Sequence, residues 1–261
     1  MSDIIKERSG NILSIQLNRP GKKNAMTMSM YVTLADLLND AAKDEGIRAV
    51  LWHGAGDSFC AGNDVEDFLK NPPGPGESPQ ARLMNAFINF DKPLIAAVQG
   101  AAIGGGTTML THCDFVYAGE SAKFQMPFVT LGLVPEFGSS YSVPMRIGHV
   151  RATELLLLGL PFDARRAAEL GLVTRVVPDE ELLATATETA RKLAEKPVGA
   201  LQACKRLMKQ FSREQIEQAM KVEMEEFALR VRSAEAREAF AAFLEKRRPD
   251  FTRTKQPEAA K

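Results

Sequence analysis

Glu136 stands in the segment LVPEFGSS, residues 133–140, between a proline and a phenylalanine in one of the most apolar parts of the chain. A carboxylate there has two uses. It can face a helix N-terminus, where unpaired amides and the macrodipole favour an acid. Alternatively, it can serve as a general base, its proton affinity raised by burial. Two segments of small residues are the other chemical candidates: FCAGNDVEDF, residues 59–68, and AIGGGTTM, residues 102–109. Each follows a strand-like run and leads into a helical pattern. Glycines at such junctions can simply turn the chain, or they can leave backbone amides uncovered for an oxygen that carries negative charge. Two such ends converging would form an oxyanion hole.

Other chemistries are excluded by spacing. In QGAAIGGGTTM, Met109 stands where a dinucleotide fingerprint needs its third glycine, and the Lys-Ser/Thr pair of a phosphate loop is missing. His53, His112 and His149 show no ligand spacing, so no metal is expected. In GSSYS, Ser142 occupies the place of the closing glycine of a nucleophile elbow. Thirty-three basic and 33 acidic residues balance, so no bulk charge favours nucleic acid or an anionic membrane. The opening MSDIIKERSG has no apolar signal region, and the EAAK ending is not a peroxisomal tripeptide. Cys60, Cys113 and Cys204 are odd in number and widely spaced, which points to free thiols in a reducing, cytoplasmic setting.

The elements that must position these residues alternate. Strands are expected at 12–17, 49–54, 93–98, 115–119, 122–126 and 172–177, with helices from Met30, over 80–90, near 107–111, over 154–158 and after Asp163. The class is therefore α/β. After Pro178 the pattern is helical throughout, with two runs beyond Pro197, the last opened by a capping box at Ser212 to Gln215. A core over 1–196 and a helical region over 197–261 are the expected divisions. Met220, Met224, Phe227, Phe240 and Phe243 offer more apolar surface than one peripheral helix set hides alone, so this region is expected to pack against another subunit. The proline-rich run 71–79 is expected to be neither helix nor central strand, but either a surface insertion or the rim of a site.

Four segments, NRPGKKNAM, SFCAGNDVEDF, KPLIAAVQGAAIGGG and GLVPEFGSSYSVP, resemble in order and spacing the crotonase superfamily of enoyl-CoA hydratases and isomerases. The resemblance covers about residues 12–247. It implies a spiral of strand-strand-helix turns, a helical trimerisation region giving a homotrimer or dimer of trimers, and a site for an acyl-CoA thioester. No cofactor is implied beyond the coenzyme A carried by the substrate. The family's two oxyanion amides would fall on Asn63 and Gly105.

Hydratases of this family carry two glutamates, at the positions of Thr108 and Phe128 here. Neither residue exchanges a proton usefully with water, and Phe128 would dry the pocket, which disfavours hydration. PEFGSS and AGNDVEDF are instead similar to the Δ3,Δ2-enoyl-CoA isomerases of the peroxisomal kind, whose single glutamate falls on Glu136. The resemblance further implies that Lys22, Lys23 and Ala25, with Ala61, Gly62, Asp64, Val65 and Gly104, border the coenzyme A. Phe243 and Lys246 match a tail that in relatives reaches a neighbouring subunit's adenine. Solvated turn charge is the alternative for both turn lysines, and helix packing and surface charge for the tail pair. An isomerase is the expectation; hydration, thioester hydrolysis and non-catalytic acyl-CoA binding are its alternatives.

Overall fold

The computed structural model describes residues 2–71 and 78–253. The chain opens with an antiparallel hairpin of β1 (Ile4–Ser9) and β2 (Ile12–Leu17), in register from Ile4 opposite Leu17 to Ser9 opposite Ile12. Helix α1 (Met28–Lys43) follows, its first turn closed by the Met30 amide donating to the Thr27 hydroxyl. β3 (Ala49–Gly54) leads to α2 (Val65–Lys70) and α3 (Pro79–Asn89). The next turn is β4 (Leu94–Val98), β5 (Ala101–Ile103) and α4 (Gly105–Thr108). Another begins with β6 (Phe115–Gly119) and β7 (Lys123–Gln125) and runs into α5 (Ser139–Ile147) and α6 (His149–Thr153). β8 (Phe162–Asp163), α7 (Ala164–Glu169) and β9 (Arg175–Val177) complete the sheets. Four longer helices come next: α8 (Leu182–Ala194), α9 (Val198–Lys209), α10 (Arg213–Arg230) and α11 (Ala234–Leu244).

The larger sheet runs β1-β2-β3-β4-β6-β9, parallel from β2 onward, and the smaller runs β5-β7-β8. Each turn of the spiral contributes one strand to the large sheet and then a short stretch to a second ladder, in which Cys60 bridges Ala102 and β5 pairs with β7. Both faces of the large sheet are covered, so β4 is buried at every position and reads as a continuous apolar run. On one face lie α1 and α3 with Trp52, Phe59 and Phe87 in the main core. On the other, α8 presents Leu182, Ala186 and Ala190 to Ile12, Leu51 and Ile95; the alanines let the helix close on the strands.

Several expectations need correction. β1 has an apolar period too weak to see, because it is an edge strand with Ile4 alone buried. Pro79 is the first residue of α3, with Ser78 accepting the Ala81 amide; a proline is favourable there because that N–H has no helical partner. The remainder of the proline-rich run, 72–77, lies outside the described residues. No capping box forms at Ser212. Its backbone is helical (φ −109°, ψ −14°) and its hydroxyl donates to the Lys209 carbonyl, because α9 passes into α10 without the extended residue a cap requires. Among the described residues three α-helices, not two, follow Pro197, since Ser233 interrupts the last run and caps α11. Finally, Met220, Phe227 and Phe240 are buried and Met224 partly so, all within the chain's own core. Of that group Phe243 alone is exposed; the exposed apolar residues are others, among them Leu157, Leu158, Leu160, Met208 and Phe211.

Candidate active site

The NRPGKKNAM segment folds back on itself. Lys23 and Asn24 both have positive φ (49° and 56°), and the Asn24 amide ties the turn by donating to the Ala55 and Ser58 carbonyls. Arg19 reaches from this turn to Asp64, its guanidinium donating to the carboxylate at 2.9 Å and to the Ala25 carbonyl at 2.5 Å. Asp64 also caps α2 by accepting the Asp67 amide. Its carboxyl is held below the usual range: burial opposes this, but the Arg19 guanidinium and the α2 amide outweigh it. Asn63, immediately before, is fixed from the other side, because the Tyr31 hydroxyl donates to its side-chain oxygen at 2.7 Å.

The glycine cluster divides its work. A side chain at Gly100 (φ +52°) would meet the Asp57 carbonyl at 1.8 Å, and one at Gly106 would meet the Cys60 carbonyl at 2.4 Å, so these two permit close packing of backbone. Gly105 is different. A Cβ there would lie 3.0 Å from Oε1 of Glu136 and 3.6 Å from the Tyr31 hydroxyl oxygen. Among the described residues, neither the Gly105 N–H nor the Asn63 N–H has a hydrogen-bond acceptor.

Glu136 itself is buried, and its carboxylate makes no hydrogen bond or ion pair among the described residues. Burial, and next the nearby charge of Glu223, push its pKa up from 4.5 to about 8. The helix-cap role offered to Glu136 by its sequence belongs instead to Glu223 of α10, which accepts the Gly138 and Ser140 amides at 2.6 and 2.7 Å. These are the amides at the N-terminus of α5. The turn between carries Phe137 at φ +60° and Gly138 at φ +67°. His112 donates through Nε2 to the Phe137 carbonyl at 2.7 Å, and burial holds that imidazole neutral with its pKa lowered to about 4.

Two cavities meet at Glu136. One, of about 530 Å³, brings together Asn63, Gly104, Gly105, Phe128 and Glu136 with Lys22, Lys23 and Ala25. Ala61, Gly62, Asp64 and Val65 also border it, and Phe243 closes it from the end of α11. The other, of about 630 Å³, shares Asn63, Phe68, Phe227 and Glu136 and continues along α10 past Met224 and Leu229. Lys246 is the one expected site residue not brought in. The chain turns back after Leu244, leaving Lys246 exposed in a left-handed conformation (φ +55°) outside the lining of both cavities. Phe243 borders its own chain's cavity. Thr108, the last residue of α4, is fully buried, and Phe128 presents an apolar side to the cavity. Tyr31, Arg19 and Glu223 were not singled out by sequence. For Glu223 a signal existed: it is an acid in the i, i+3, i+4, i+7 stripe with Met220, Met224 and Phe227.

The arrangement sets a buried, unpartnered carboxyl beside two uncovered amides, in a groove that continues in both directions. Residues 7–255 match the enoyl-CoA hydratase/isomerase family model. The chain belongs to that family. It is 36% identical to 1,2-epoxyphenylacetyl-CoA isomerase of Escherichia coli over 97% of this chain and 99% of that one. It is 34% identical to enoyl-CoA delta isomerase 2 of Rattus norvegicus over 92% of this chain and 63% of that longer protein. The crystal structure of an enoyl-CoA hydratase/isomerase from Pseudoalteromonas atlantica superposes with a TM-score of 0.91 at 41% identity, over 96% of this chain and all of that one. Proteins named as hydratases stand among the relatives as well. The mixed α/β spiral with a helical C-terminal region is thus the crotonase fold, and the enzyme class is crotonase chemistry on acyl-CoA thioesters.

Proposed function

We propose that this member of the family is a Δ3,Δ2-enoyl-CoA isomerase in which Glu136 shuttles the proton. The observation that carries the reading is the carboxyl of Glu136, which among the described residues has no partner and stands against Gly105, whose N–H likewise has none, with no second acid at Thr108 or Phe128. Ionised Glu136 takes the proton from C2 of a 3-enoyl thioester, and the electron pair moves to the thioester oxygen as an enolate. The Asn63 and Gly105 amides donate to that oxygen. As the enolate collapses, the double bond forms between C2 and C3 and the proton on Glu136 passes to C4, which restores the carboxylate. One group suffices because removal and return occur on the same acyl chain. Hydration would need water activated and a proton delivered by a second group.

The cavity bordered by Lys22, Lys23 and the 61–65 backbone holds the coenzyme A, and the cavity along α10 receives the far end of the acyl chain. Incubation with 3-enoyl-, 2-enoyl- and saturated acyl-CoA, with mass and double-bond analysis of products, tests the reading. A 2-enoyl product of unchanged mass is expected from the 3-enoyl substrate. A gain of 18 mass units, the mass of one water, or release of free coenzyme A would replace the proposal with hydration or hydrolysis.

A further inference from the structure

Glu223 lies far from Glu136 in sequence, yet its two carboxylate oxygens accept from Gly138 and Ser140, the residues two and four beyond Glu136. Between them the backbone passes through two successive left-handed residues, one of them a phenylalanine, a conformation a non-glycine residue holds only when its surroundings impose it. The imposition is complete: Phe137 is buried against Phe87 and His112, its carbonyl is taken by His112, and the Glu136 carbonyl accepts the Ser139 amide at 3.1 Å. Glu223 and Glu136 also line the same cavity along α10. We propose that Glu223 is a positioning residue of the active site, which clamps the turn carrying Glu136 and holds a second carboxyl on the wall of the same cavity, so that α10 adds to the electrostatic setting of the base.

The other groups facing the pair do not replace it. The Tyr31 phenol from α1 and the Cys60 thiol, both buried, have their pKa values raised and stay neutral. The His112 imidazole is neutral. Lys221 and Glu225 of α10 and Arg232 beyond it lie at the exposed rim of the cavity. The inference rests on Glu136 being the base, but its test reads the carboxyl directly. Infrared titration of 13C-glutamate-labelled protein, with the Glu136→Gln spectrum subtracted, gives the Glu136 midpoint without substrate. In Glu223→Gln, which keeps the side chain's size and removes its charge, the midpoint should fall by about half a pH unit or more. In Glu223→Asp, which keeps the charge, it should stay near that of the parent. The pH limb of C2 proton exchange should move with it. An unmoved Glu136 midpoint in a folded Glu223→Gln variant overturns the proposal, even if that variant is slow. The parent protein gives a second reading that needs no folded variant at 223. There the ionised-carboxylate band of Glu223 should shift as Glu136 titrates, and a Glu223 band unmoved through that step overturns the proposal. If the midpoint falls but no 3-enoyl-CoA is isomerised, the positioning stands and the isomerase reading fails.

Discussion

A methyl group on Gly105 would sit 3.0 Å from Oε1 of Glu136, so the glycine and the acid occupy opposite sides of one narrow space. The same residue supplies a free amide and, by lacking a side chain, leaves the carboxyl uncovered. Gly105→Val should therefore damage both functions. Loss of one oxyanion donor costs about 3 kcal/mol of transition-state stabilisation, so turnover should fall by roughly 10²-fold or more. Circular dichroism and thermal melts should show that the fold persists, because Gly105 lies at a helix start beside a cavity. Near-parental turnover would confine this glycine to a backbone-packing role, as at Gly100 and Gly106.

The pH dependence follows from the pKa of about 8 at Glu136. The base must be ionised, so kcat/KM for 3-enoyl-CoA should rise with pH through about 8 and then level off. The sign is fixed by burial, which favours the protonated form in the free enzyme. A flat profile between pH 6 and about 9 would mean that the essential group titrates elsewhere.

The same group makes stability pH-dependent. Its folded pKa is raised from 4.5 to about 8, so the folded chain retains a proton that the unfolded chain has lost. That stabilising contribution is complete below about 4.5 and disappears as pH rises through about 8. Glu136→Gln removes the ionisation. The stability of the variant relative to the parent should therefore grow between these values and level off above about 8, by on the order of 5 kcal/mol at most. Denaturant melts at pH 5, 7 and 9 measure it. A helix-cap role would give the reverse, a variant less stable at neutral pH.

Much of this was legible in sequence for a physical reason. β3, β4 and β6 are buried on both faces and announce themselves as apolar runs, and Glu136 is conspicuous because an acid rarely stands among such residues. β1 was hidden because an edge strand buries one face at most. Glu223 was hidden because its partners, the Gly138 and Ser140 amides, are brought to it by the packing of α10 on α5 and by no local pattern. The tail's apolar residues signal in the sequence a need for cover, expected there from another subunit. What covers Met220, Phe227 and Phe240, however, is the chain's own core, together with Phe68, against whose ring Phe227 and Phe240 pack at 6.1 and 5.8 Å.

Assembly is then expected to use a different surface. Val150, Leu157, Leu158 and Leu160 are each more than half exposed and lie within eleven positions of one another, while Leu207, Met208 and Phe211 form a second exposed set at the end of α9. Leaving such groups wet forgoes roughly 25 cal/mol for each Å² of apolar surface, and patches of this kind mark contacts between subunits. A trimer or dimer of trimers is the expected state in sedimentation at micromolar concentration. Leu158→Glu or Phe211→Glu should shift it toward monomer while leaving Glu136, Asn63 and Gly105 untouched. Because Phe243 borders the cavity of its own chain, proton exchange at C2 of bound enoyl-CoA should persist in such a monomer. Loss of exchange on dissociation, with the fold intact by circular dichroism, would show instead that a neighbouring copy completes the site. A parent that sediments as a monomer would leave these leucines and Phe211 without a partner and end the assembly reading.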